Sequence, residues 1–102
     1  MAQFDVYRFA PRGGAFTLVT DVQNGLLNGL GTRVVAPLYP LKISDKPILR
    51  LNPVVEIDGL PYYMAVQEMA ALRVKALGTK AVSLETRRDE IVAAIDLLIT
   101  GV

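Results

Sequence analysis

The sequence contains no cysteine and no histidine. The missing thiols exclude disulfides and thiolate nucleophiles, and the missing imidazoles exclude Ser-His-Asp triads, histidine acid–base catalysis and zinc sites of the usual kind. Strong charge of one sign is absent too. Eleven Lys and Arg face ten Asp and Glu, for a net charge of +1 and a pI near 8.0. A domain that holds nucleic acid by neutralising phosphates is far more basic, which disfavours direct DNA binding. No long apolar run occurs: the most apolar stretch, 91–102, is interrupted by Asp96 and falls short of the roughly 20 residues of a spanning helix. The start, MAQFDVYRF, carries Asp5 and Arg8 where an export signal would have a basic start and then an unbroken apolar segment. The expected location is therefore the cytoplasm, with no membrane association, metal or cofactor.

What is present is apolar material: 52% of 102 residues, enough for one core without metal or disulfide staples. One domain spanning residues 1–102 is expected. With a mean hydropathy of +0.37, so short a chain carries more apolar surface than its own core covers, and a self-complementary homodimer interface would absorb the excess.

The order of elements reads from alternation and turn chemistry. Residues 3–9 alternate as a half-buried strand, with Phe4 and Val6 on one side and Gln3, Asp5 and Tyr7 on the other. A turn at Pro11-Arg12-Gly13-Gly14 leads to a second strand that presents Phe16, Leu18, Thr20 and Val22 on one face. The segment 23–31 holds three glycines and two asparagines and reads as a loop, although it carries Leu26, Leu27 and Leu30. Thr32–Leu38 is a third strand. Pro37, Pro40, Pro47 and Pro53 restrict 37–53 to short edge strands and loops. Asp58-Gly59 joins Val54–Ile57 to Leu60–Val66 in a tight hairpin. Residues 67–78 mix helical and strand signals and are read as strand. The closing helix is expected from about Leu84 to about Thr100, capped by Ser83. Glu85, Asp89 and Glu90 stand near its positive end, and Leu84, Ile91, Ala94, Ile95 and Leu98 face the sheet while Thr86, Ala93, Leu97 and Thr100 lie opposite. The fold class is mainly antiparallel β with one C-terminal α-helix.

Catalytic signals are weak. The glycines at 13–14 and 25–31 match neither a phosphate-binding loop nor a dinucleotide fingerprint and read as turn residues. Glu56 with Asp58, and Glu85 with Asp89, read as solvated carboxylates. Arg87 and Arg88 sit where local ion pairs with Glu85, Asp89 and Glu90 would form. The unusual feature is the chain end, Leu97-Leu98-Ile99-Thr100-Gly101-Val102, which is apolar where a solvent-facing terminus is normally polar. Either its own sheet or a dimer partner covers it, or it is an apolar tip that enters a cleft on another protein. Leu26 and Leu27 admit the same two readings.

Several segments, taken in order, carry a resemblance. They are Met1-Ala2-Gln3-Phe4-Asp5-Val6-Tyr7, Val19-Thr20-Asp21-Val22-Gln23, Thr32-Arg33-Val34-Val35-Ala36-Pro37-Leu38, Pro53-Val54-Val55-Glu56-Ile57-Asp58 and Arg88–Leu98 with Gly101 and Val102 last. As a set they resemble the CcdB family of bacterial toxins, the toxin half of the CcdA/CcdB addiction modules that maintain plasmids. The resemblance implies a homodimer built on an antiparallel sheet with a small second sheet and a C-terminal helix, a fold shared with the MazF ribonuclease toxins. It implies a poison rather than an enzyme: the dimer binds the A subunit of DNA gyrase and traps the cleaved-DNA complex. A CcdA-type antitoxin neutralises the toxin, and the complex of the two represses its own operon through DNA contacts made by the antitoxin. Carried over residue by residue, the gyrase-binding surface falls on Leu26, Leu27, Asp96, Ile99, Thr100, Gly101 and Val102.

Thr100 departs from the family pattern, whose best-known form ends in Trp-Gly-Ile, with the ring stacking on an arginine of the target. An aromatic anchor of that kind is worth about 2 kcal/mol or more, on the order of thirtyfold in affinity. Two alternatives stay open: an endoribonuclease of the MazF type, and a non-toxic family member that binds only the antitoxin.

Overall fold

The computed structural model describes residues 2–10 and 17–102. The expected Pro11–Gly14 turn and the position of Phe16 lie outside the described residues. Among the described residues seven strands, β1 (Asp5–Phe9), β2 (Thr17–Asp21), β3 (Thr32–Pro40), β4 (Val54–Ile57), β5 (Leu60–Met64), β6 (Ala70–Arg73) and β7 (Leu77–Ser83), precede one helix, α1 (Arg88–Thr100). The strand order is β4-β5-β3-β2-β1-β7, with β6 branching from β3, and every pairing is antiparallel.

The small second sheet expected from the resemblance is hydrogen-bonded into the first, because β3 changes partner along its length. Its first half pairs with β6, from Thr32 opposite Arg73 to Val35 opposite Ala70. Its second half pairs with β5, from Leu38 opposite Met64 to Pro40 opposite Tyr62. Pro37 sits at the junction, where its carbonyl accepts from the Ala65 N–H. Its missing donor falls on that same side, between the end of one pairing and the start of the other, where a proline costs the ladder least.

The Asp58-Gly59 turn forms as expected: φ is +53° at Asp58 and +79° at Gly59, the pair of positive values that a primed two-residue hairpin requires. The 67–78 segment is not one strand. It resolves into a 3-10 turn at Val66–Glu68, then β6, then a second 3-10 turn at Val74–Ala76 that leads into β7. The segment 41–53 contains no strand.

The helix starts later than the capping signal suggests. Ser83 Oγ accepts from the Glu85 N–H at 3.3 Å, but this opens a 3-10 turn over Glu85–Arg87, and α1 follows from Arg88. Arg87 pairs with Glu90 at 2.6 Å, as expected, and also donates to the Val54 carbonyl at 2.8 Å, which ties the helix start to β4. Arg88 lies 3.6 Å from Asp89. All four carboxylates of the Glu56/Asp58 and Glu85/Asp89 pairs are exposed.

The main core lies between the sheet and α1. Phe4, Val6, Leu18, Ala36, Leu38, Met64, Leu84, Ile91 and Ala94 are buried in it, with Val92 and Ile95 packed at its edge. Full burial of Ile91 contributes about 1.5–3 kcal/mol. Leu98, expected on this face, is instead 38% exposed, because the buried stripe ends one turn earlier. The other face of the sheet is covered as well: Tyr7, Val19 and Val35 are buried there, with Phe9, Leu72 and Leu77 against them. Strand β1 is therefore buried on both faces, and Asp5 and Tyr7 are inside. Curling of the sheet over its own second face accounts for this departure from simple alternation.

Candidate functional site

The residues assigned to partner contact fall into two groups. The first lies on the β2–β3 loop, where Gly25–Leu27 forms a 3-10 turn started by Asn24, whose Oδ1 accepts from the Leu26 N–H at 2.8 Å. Leu26 is 92% exposed, and Leu27 is about half exposed. The second group closes α1. Ile99 is 69% and Val102 81% exposed, and Asp96 and Thr100 are exposed beside them.

The helix end has its own structural logic. Thr100 Oγ1 donates to the Asp96 carbonyl at 2.8 Å, so its hydroxyl is satisfied within the helix and the outward chemistry of the tip is carried by Ile99 and Val102. Gly101 takes φ +77° and ψ +17°, and its N–H reaches the carbonyls of Asp96 and Leu97. A left-handed glycine at this position is the ordinary way to end a helix, and here it turns Val102 away from the helix axis.

Within the chain the two groups lie toward opposite ends of α1. A concavity of about 650 Å³ places Gly25 and Asn28 of the loop beside Ser83, Glu85 and Arg88 at the helix entry, whereas Ile99–Val102 stand at its exit. A helix of 13 residues carries the exit about 18 Å further along.

Beneath the loop is a polar cluster whose roles sequence reasoning missed. Arg33 is 1% exposed and donates to Asp21 Oδ2 through Nη2 at 2.6 Å and through Nε at 2.9 Å. Nη2 also reaches the Gln23 carbonyl, and Nη1 reaches Asn28 Oδ1. The second Asp21 oxygen accepts from the Gln23 N–H at 3.0 Å. Nearby on the same face, Asp5 accepts from the Tyr7 hydroxyl at 3.3 Å and pairs with Lys80 at 3.3 Å. Burial pushes the Tyr7 hydroxyl pKa up, and the Asp5 carboxylate beside it adds to the rise. One signal for the cluster was legible: a lone arginine among the β-branched residues of Thr32–Leu38. Its partner was not.

A separate tyrosine pair lies further along β3. Tyr39 donates to Glu68 Oε1 at 2.7 Å and packs against Tyr63 of β5 with ring centroids 5.6 Å apart. The hydrogen bond to the carboxylate, with burial second, pushes the Tyr39 pKa up to about 12. Among the described residues no group of three or more acidic side chains is placed to hold a metal ion, and no helix is long and apolar enough to cross a membrane.

Among the solved structures that share this architecture are two toxins. An endoribonuclease in complex with its cognate antitoxin, from a mycobacterial species, superposes with a TM-score of 0.81 at 16% identity, over 98% of this chain and 95% of that one. The Mycobacterium tuberculosis toxin MazF-mt6 superposes with a TM-score of 0.71 at 14% identity, over 90% and 92%. At such identities the likeness establishes the fold, a curled antiparallel sheet with a C-terminal helix as in MazF-like toxins. The sequence itself matches the family described as CcdB protein over residues 3–101, and with nearly the whole chain inside that match, the protein belongs to the CcdB family of toxin–antitoxin toxins.

Proposed function

We propose that the chain acts as a homodimer that binds the A subunit of DNA gyrase, traps the cleaved-DNA complex and is neutralised by a CcdA-type antitoxin. The observation that carries this reading is the exposed apolar end of α1. A folded chain leaves Ile99 and Val102 in water where burial of each would be favourable, and the pattern suits an anchor completed by a partner. Leu26 on the β2–β3 loop supplies a second anchor of the same chemistry. Self-association is supported by the number of large apolar side chains left on the surface, among them Ile43, Leu49 and Leu60, and light scattering at micromolar concentration should give a mass near twice 11.1 kDa.

The deciding experiment incubates the purified protein with gyrase, ATP and supercoiled plasmid and then adds detergent and protease. Linear DNA that depends on the full chain, and is lost when residues 100–102 are removed from a still-folded protein, supports gyrase poisoning through the tip. Undiminished linear DNA from the truncated chain overturns the assigned surface.

A second reading has one observation in its favour, the endoribonuclease among the similar structures. Total RNA incubated with the protein in the absence of gyrase separates the two, because site-specific cleavage there replaces the poison reading with the nuclease one.

A further inference from the structure

The 3-10 turn that carries Leu26 and Leu27 buries none of its residues, so packing does not fix its direction. Polar bonds do. Gln23 spans the base of the loop: its Nε2 donates to the carbonyls of Leu27 and Thr32, both at 3.3 Å, while its Oε1 accepts from the Val34 N–H at 3.0 Å. Asn28, at the C-terminal end of the turn, accepts from Arg33 Nη1. Arg33 cannot swing, because Asp21 holds its Nε and Nη2 in a buried pair.

We propose that Asn28 and Gln23 are positioning residues for the Leu26/Leu27 contact face, with the Asp21–Arg33 pair as the fixed post to which they tie the loop. The inference rests on reading that face as a gyrase-binding surface. The guanidinium is a rigid planar fork, so a fork locked on one side by a carboxylate presents its remaining nitrogen in a set direction. An acceptor that meets it there passes that direction to the chain. Without the tether the turn and its exposed leucine sample many orientations, and the ordering they would undergo on binding reduces affinity without removing any contact.

The test uses the full chain with Asn28→Ala, Asn28→Asp and Leu26→Ser, each titrated by calorimetry against the purified dimerisation fragment of the gyrase A subunit. Thermal midpoints and amide exchange over residues 24–31 are recorded in parallel. Asn28→Ala is expected to weaken binding about three- to tenfold, with a near wild-type midpoint and faster exchange in the loop. Asn28→Asp keeps an acceptor for Nη1 and is expected to restore both affinity and protection, which a merely structural role for the residue would not require. Leu26→Ser, a direct contact, should weaken binding while leaving loop exchange slow. Binding by Asn28→Ala equal to wild type, with Leu26→Ser weakened, overturns the positioning role. Wild-type binding by Leu26→Ser, or no binding by the wild-type chain, overturns the gyrase reading of the loop and the inference with it. That pattern differs from the first, in which the wild-type chain binds and Leu26→Ser binds more weakly.

Discussion

Arg33 and Asp21 stand diagonally across the β2–β3 ladder. Asp21 is opposite Val35, Arg33 lies two residues before Val35 on the same face, and one Asp21 oxygen receives two guanidinium nitrogens at 2.6 and 2.9 Å. Both side chains are out of water, so each is the other's condition for burial. Replacing either alone, as in Arg33→Met or Asp21→Leu, should cost about 3–5 kcal/mol in urea unfolding, because an uncompensated group stays behind. The double variant Asp21→Leu/Arg33→Met should recover most of that loss. A double variant as unstable as the sum of the singles would show that the hydrogen bonds to Gln23 and Asn28, rather than the pair, dominate.

Thr20 on β2 offers the opposite case. It is fully buried in the core, and among the described residues its Oγ1 is the buried side-chain oxygen with no hydrogen-bond partner. Thr20→Val replaces that hydroxyl with a methyl group of nearly the same shape. Stability should rise by about 1 kcal/mol, seen as a higher urea midpoint at unchanged slope. A drop would mean that the hydroxyl is satisfied in solution.

Tyr39 predicts the alkaline limb of the stability profile. Its hydrogen bond to Glu68 raises its pKa from 10.0 to about 12, so the folded state holds the phenolic proton more tightly than the unfolded chain does. The stability this provides is complete below about pH 10 and is lost as pH rises from there through about 12. Tyr39→Phe should flatten that part of the decline, and Glu68→Gln should bring the Tyr39 titration, followed by ultraviolet difference absorbance, back toward 10. Identical alkaline profiles for wild type and Tyr39→Phe would disconnect the residue from the effect.

Thr100 is where the chain departs from the aromatic tip of its family, and its hydroxyl is turned back onto the helix. Because the side chain is exposed and its bond is local, Thr100→Trp should leave the thermal midpoint within about 2 °C, in line with surface substitutions generally. On the proposed function, affinity for the gyrase A subunit should rise on the order of tenfold or more. An unchanged affinity would place the tip's anchor at Ile99 and Val102 alone.

Local chemistry was legible along the chain where neighbours in sequence decide the structure. The Asp58-Gly59 hairpin, the alternation of Leu18 and Thr20 and the amphipathic face of Ile91 and Ala94 all depend on residues a few positions apart. Contacts between distant strands were not legible. Hydropathy alternation would bury Val34 and expose Arg33, yet Val34 is on the surface and Arg33 inside, because Asp21 on the neighbouring strand decides which face of β3 can accept a charge. The same limit applies to β6, whose pairing with the first half of β3 merges the expected second sheet into the first. At the site, apolar composition marked the tip and the loop as unusual but left open whether their own sheet covers them, and it was the fold that left Leu26, Ile99 and Val102 exposed on the chain; the polar scaffold beneath Leu26 had no local signal beyond a misplaced arginine.

The hydrogen-bonded partnership of β1 with β7 joins the first strand made to the last, with Asp5 opposite Ser83 and Phe9 opposite Leu77. A ribosome delivers β1 long before its edge partner exists, and Leu84, Ile91 and Ala94, which close the core over Phe4 and Val6, emerge later still. Sheets closed by such distant pairings fold in milliseconds to seconds rather than microseconds. An interrupted translation product that stops before Ile91 therefore has no sealed core, and the apolar face of its sheet around Phe4 and Val6 stays open to water.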